Sequence, residues 1–242
     1  MPHFQSCGSH EHIGISYRSI GLERFGEDLQ KLLDRQWKTL LFESAFSVGM
    51  CVINVLEYVH SYGFIHADAK PSWTLPSFGK GNENFVHPPN IGWACRYTQK
   101  GKRNDYKDDL AKKHDSATEF VSSDVHIGAH SRSGDMERLG YNLLWWLCCR
   151  LTWEDNLKNP EYVSQQKSTP MEAIPLLMSK CFPHGEIPCG ITEFLRYVGT
   201  MNLEDAADYK QLMRILENDI QAAGFKPDGR LLFKPQRTPR RN

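Results

Sequence analysis

A chain of 242 residues with 29 basic and 29 acidic side chains has no net charge to draw it to nucleic acid or an anionic membrane, and is long enough for one large domain or two small ones. Its N-terminal residues lack a basic-then-apolar secretory pattern, and no uninterrupted apolar run of about 18 residues appears, so no membrane span is expected. Seven scattered cysteines, mostly in apolar stretches and without a C-x-x-C pair, argue against structural zinc and for a reducing compartment, cytosol or nucleus.

Residues 4–25 read as two strands with 8–14 as the turn between them, the second strand being the better. His10-Glu11-His12 offers metal-type side chains, but a polar hairpin turn is the simpler reading. Residues 26–34 start a short helix with acidic residues in its first turn. The long helix is 42–60, where Phe42, Ala45, Phe46, Gly49, Met50, Ile53, Leu56 and Val59 recur at helical spacing along one apolar face. It stops at Gly63, and the short apolar step Phe64-Ile65 delivers His66, Asp68 and Lys70 onto a loop.

Two short strands, 74–75 and 85–86, flank Gly79-Lys80-Gly81, which reads as a hairpin turn and not as a phosphate cradle. The polar stretch 98–116 reads as a mobile loop. From Leu139 the helix beginning near Asp135 is apolar nearly all round, which places it in the middle of a domain. Helices are expected at 171–181 and 192–198, and a clear amphipathic one at 203–223, ended by Gly224. The basic, proline-broken end from Lys234 reads as a solvated tail or a nuclear-import signal.

His66-x-Asp68-x-Lys70 after a helix and a β-like step has the layout of a protein-kinase catalytic loop. With that loop, further blocks resemble the vaccinia-related kinase family of the casein kinase 1 superfamily: residues 16–18 and 23–30, residues 114–126, residues 131–141 with Ser131-Arg132-Ser133-Gly134-Asp135 at their start, and residues 153–158. The resemblance implies an α+β, protein-kinase-like fold. Residues 1–25 would be a remnant two-strand small lobe and hinge, 26–232 a mainly helical large lobe, and 233–242 the disordered tail. By the same resemblance Asp68 is the base that takes the substrate hydroxyl proton and Lys70 contacts phosphate. Glu23 and Phe25 would present hinge backbone to adenine. His66, Arg132 and Asp135 would be scaffold, Asp135 holding the loop by accepting its backbone N–H groups.

The chain departs from the family's pattern in ways that bear on chemistry. The Gly-rich loop and strand Lys of the family's kinases find no match here, which implies that most of the small lobe is absent. Trp73 stands where the family has the metal-binding Asn of the catalytic loop, and Asn90 where it has the Asp of the Asp-Tyr-Gly site. Ser116-Ala117 replaces a Gly-Thr whose hydroxyl would steady the catalytic Asp, and Ala67 replaces a Gly. These changes point to a catalytically impaired kinase-like protein, a pseudokinase acting as a binding scaffold or decoy for protein partners, with no cofactor and no metal expected. Asp68 and Lys70 would then be a remnant ion pair. The alternative is an active ATP- and Mg²⁺-dependent serine/threonine kinase acting on chromatin-associated proteins. Neither reading calls for direct nucleic-acid or membrane binding, and both suit the nucleus or cytoplasm.

Overall fold

The computed structural model describes residues 4–22, 29–35, 40–68, 75–76, 86–87, 94–99, 102–103, 119–126, 129–167, 174–183 and 185–227. Strands β1 (Phe4–His12) and β2 (Ile15–Leu22) pair antiparallel with His12 opposite Ile15. The turn is thus Ile13 and Gly14 alone, both at positive φ (52° and 74°), a tighter connection than the 8–14 turn expected. Two left-handed residues match the twist of the flanking strands, which a longer loop is not needed to supply. His10 and His12 therefore lie on a strand, rings stacked 6.3 Å apart, and not in a turn. Both faces of this ribbon are open, and Ile13 is 85% exposed.

The body is helical: α1 (Leu29–Arg35), α2 (Phe42–Ser61), α3 (Ser123–His126), α4 (Arg132–Cys148), α5 (Pro160–Lys167), α6 (Ile174–Cys181), α7 (Cys189–Gly199) and α8 (Tyr209–Ala222). Short antiparallel pairs join β3 (Phe64–Ile65) to β6 (Cys95–Arg96), β4 (Leu75–Pro76) to β5 (Val86–His87), and β7 (Thr98–Gln99) to β8 (Lys102–Arg103). The last of these pairs falls inside the stretch expected to be loop throughout.

Helix α4 is the axis, lying between α2 on one side and α7 on the other, with α8 closing over α2 and α7. Close approach is bought with small residues. A Cβ on Gly49 of α2 would sit 2.8 Å from Leu143 Cδ2 of α4, and one on Gly140 of α4 only 2.7 Å from Leu195 Cδ2 of α7. Phe46, Ile53, Leu56, Met136, Leu143, Trp146, Phe194 and Leu212 fill the space between. Each such side chain, fully buried, contributes about 1.5–3 kcal/mol. By length and apolarity α2 would pass for a membrane-crossing helix, but 61% of that stretch is buried against protein.

Two further expectations need correcting. The last helix begins at Tyr209, not 203, because Asp208 caps it by accepting from Gln211 N–H at 2.9 Å. The preceding residues are folded instead by Asn202, whose N–H donates to Asp205 Oδ2 at 2.7 Å. Helix α5 was not expected at all; it buries only Val163 and Lys167, too little for a periodic signal.

Candidate functional site

Helix α2 ends because Gly63 takes φ +78°, a left-handed position that costs glycine nothing. The chain then makes the two residues of β3, held against β6 with the Arg96 guanidinium 5.0 Å over the Phe64 ring. His66, Ala67 and Asp68 follow, all buried. Ala67 sits at φ +66°, a conformation that strains any residue with a Cβ.

What holds that strain is Asp135 in the first turn of α4. Its Oδ2 accepts from His66 N–H at 2.7 Å, and its Oδ1 from Ala67 N–H at 3.0 Å. Oδ2 also meets His60 Nε2, on the last turn of α2, at 2.9 Å, and His60 Nδ1 meets the Tyr209 hydroxyl at 2.7 Å. A carboxylate only accepts, so Nε2 carries a proton and donates to it, while Nδ1 shares its bond with the Tyr209 hydroxyl. Burial alone would raise the Asp135 carboxyl, but the His60 hydrogen bond and the charges of His60, His66 and Arg138 hold it below the usual carboxylate range.

Around this centre Tyr97 closes one side. Its hydroxyl donates to His60 O at 3.0 Å and accepts from Arg132 at 3.3 Å, while the guanidinium stacks 5.0 Å over its ring and also donates to Glu204 O at 2.8 Å. Asp68 N–H points to His66 Nδ1 at a long 3.4 Å. The structure thus brings His66, Asp68, Arg132 and Asp135 together at the end of α2. Lys70, Trp73, Asn90, Glu23 and Phe25 lie outside the described residues.

Sequence reading passed over three members of this neighbourhood. His60 joins Asp135 across a sequence separation of 75 residues and Tyr209 joins His60 across 149, and helical periodicity carries no sign of either contact. Arg138 is the third. It is buried to 2% exposure, and among the described residues none of its guanidinium nitrogens has a hydrogen-bond partner. Desolvation lowers its pKa, and the nearby Asp135, Asp68 and Glu137 oppose that fall.

Next to Arg138 in the sequence, Glu137 ties the α3 segment to α4. Glu137 accepts from Ser123 N–H at 2.9 Å, from its hydroxyl at 2.6 Å, and from Tyr141 at 2.5 Å; burial outweighs these bonds and raises its carboxyl. Lys167 from α5 donates to Val121 O at 2.8 Å and lies 5.1 Å from the rings of both Tyr141 and Trp153. Burial pulls its pKa down to about 7, against the pull of Glu137.

The donor set at the positions that resemblance assigns to magnesium does not fit that ion. An indole N–H at Trp73 is a donor with no lone pair to give, and the carboxamide of Asn90 offers one neutral oxygen where hard Mg²⁺ favours a carboxylate. Among the described residues, no cluster of three or more His, Cys, Asp or Glu side chains forms a metal site.

No protein-family model matches the chain. It is 35% identical to human serine/threonine-protein kinase VRK2 over 89% of its length and 42% of that protein's. It is 30% identical to nucleosomal histone kinase 1 of Drosophila melanogaster over 100% of its length and 40% of that protein's. Serine/threonine-protein kinase VRK3 of Mus musculus is 29% identical over 87% of the chain and 47% of its own length. The chain therefore spans less than half the length of each of these relatives.

Proposed function

The chain belongs to the vaccinia-related kinase family and has its protein-kinase-like fold, and from that premise we propose that it is a pseudokinase: a kinase-like protein that binds protein partners as a scaffold or decoy without transferring phosphate. One observation carries the reading. Trp73 and Asn90 occupy the two positions from which the family's resemblance would have magnesium held. Phosphoryl transfer is positioning plus neutralisation of charge on the transferred group, so loss of both ligands removes the neutralising half. Asp68 and Lys70 are then remnants, and the Asp135 clamp serves the shape of the loop. The partners are proteins, chromatin-associated ones in keeping with the fly relative's name, met in the nucleus or cytoplasm.

The reading is tested by the thermal unfolding of the purified chain with ATP alone and with ATP plus Mg²⁺. No magnesium-dependent stabilisation is expected; a rise of several degrees would reject it. A second reading, an ATP-dependent serine/threonine kinase, draws on the buried Asp68 in a loop whose backbone is still clamped. It requires transfer of label from nucleotide to an acceptor protein that disappears in Asp68→Asn.

A further inference from the structure

The two histidines of β1 have a geometry that a turn would not give them. His10 and His12 are two apart on one strand, so both project from the same face, with ring centroids 6.3 Å apart and planes 19° from parallel. In the β1–β2 register Tyr17 lies opposite His10 and Ile15 opposite His12, which puts all four side chains on that face. Glu11 and Arg18 alternate to the other face. The histidine face of the paired residues 8–12 and 15–19 therefore carries no carboxylate, lysine or arginine.

The ribbon is open to solvent along its length. Residues 5–20 are all exposed, and Tyr17, Ile15 and Ile13 show 50%, 55% and 85% of their surface. A two-stranded hairpin with neither face packed is marginal in water, and it is stabilised by whatever covers one.

We propose that His10 and His12 are half of a binding site for a zinc-class divalent ion, and that a second copy of this chain supplies the other half. Neutral imidazole nitrogen is a favoured ligand of Zn²⁺, which takes four ligands in a tetrahedron. Zn–N bonds of about 2.0–2.1 Å would bring two imidazole centroids to roughly 5 Å, about 1 Å closer than their 6.3 Å here. Rotation of two exposed side chains covers that difference. A pair of ligands leaves half of the tetrahedron open. The same face of a second copy, turned about a two-fold axis, offers the same pair, and such a contact closes without leading to longer assemblies. Tyr17 and Ile15 of each copy then cover one another beside the ion.

The association depends on the metal because the face is small. Strands of nine and eight residues make a ribbon about 30 Å long and about 10 Å wide, roughly 300 Å² per copy, against the ~800 Å² per partner of stable interfaces. No residue of the Asp68 loop takes part, so the site stands or falls apart from the pseudokinase reading.

The full chain, stripped of metal with EDTA, is passed through size-exclusion chromatography with light scattering, then again with stepwise addition of Zn²⁺. The expected result is a monomer without metal and a dimer with zinc, saturating near about one ion per dimer by metal analysis. Mg²⁺, which prefers oxygen ligands, should leave the monomer unchanged. Co²⁺ in place of zinc should develop the visible absorption of a tetrahedral nitrogen-ligated ion as the dimer forms. His10→Gln and His12→Gln, both at exposed positions, should stay monomeric at the same zinc concentration with the unfolding temperature of the metal-free wild type. Should a variant fail to fold, the cobalt spectrum of the wild type decides, and an octahedral one overturns the proposal. A dimer in EDTA, zinc held by a monomer without association, or a zinc-dependent dimer that persists in the His10→Gln, His12→Gln double variant would each overturn it as well.

Discussion

Asp135 and Arg138 stand one turn apart on α4, and burial leaves them 1% and 2% exposed, yet they are treated in opposite ways. Asp135 is met by two backbone N–H groups and a histidine ring. Arg138 has three acidic neighbours at charge-sensing range and, among the described residues, no hydrogen bond from its guanidinium. The contrast teaches that a buried charge is stabilised by the geometry of its donors and acceptors, and that the mere proximity of opposite charge is a poor substitute.

Removing the saturated charge should do the most damage. Asp135→Asn turns an amide NH₂ toward a backbone N–H or the His60 N–H, leaving a donor facing a donor, and is expected to cost about 3–5 kcal/mol in urea unfolding. The wild-type contribution of Asp135, whose carboxyl is lowered by folding, is present above the ordinary carboxylate pKa and is lost as pH falls through the lowered value. The difference between the two proteins should therefore narrow in acid.

Lys167 is an intermediate case, a buried amine that donates to the Val121 carbonyl and lies against the Tyr141 and Trp153 rings. Its pKa falls from 10.5 to about 7 on folding, so between those values the unfolded chain binds the extra proton and stability rises with pH. Full release is worth about 1.4 kcal/mol per pH unit. Relative to Lys167→Met, the wild type should gain about 2.5 kcal/mol between about pH 7.5 and 9.5; a flat difference would mean that the lysine is charged throughout.

Replacing the unsatisfied charge should help. Arg138→Leu removes a desolvated guanidinium and keeps apolar volume, and is expected to stabilise by about 2 kcal/mol, read as a rise in the urea midpoint at unchanged slope. Loss of stability instead would show that Arg138 is a partner to its acidic neighbours after all. The smallest effect concerns backbone strain next to the clamp. Ala67→Gly relieves the left-handed alanine and should stabilise by up to about 1 kcal/mol, offset in part by the entropy of the unfolded glycine.

Much of this was readable from residue order, for identifiable reasons. The long helix expected at 42–60 is Phe42–Ser61, because its apolar face is continuous and Gly63 ends it. His66, Asp68 and Asp135 announced themselves by motif. The start of α8 did not, because Asn202 and Asp205 bend a stretch whose apolar spacing alone looks helical. Helix α5 had a legible beginning, with Pro160 in its first turn and the Asn159 side chain accepting from Tyr162 N–H at 3.1 Å, but a mostly exposed surface. His60 and Tyr209 were beyond reach, since only the packing of α2 against α4 and α8 sets them around one carboxylate.

A loop whose course is dictated by its main-chain amides, through a carboxylate on a neighbouring helix, does not depend on what its later side chains grip. Substitutions at positions 73 and 90 can thus accumulate without dismantling the scaffold around Asp68. Such a design separates the shape of the turn around Asp68 from the chemistry of the residues beyond it.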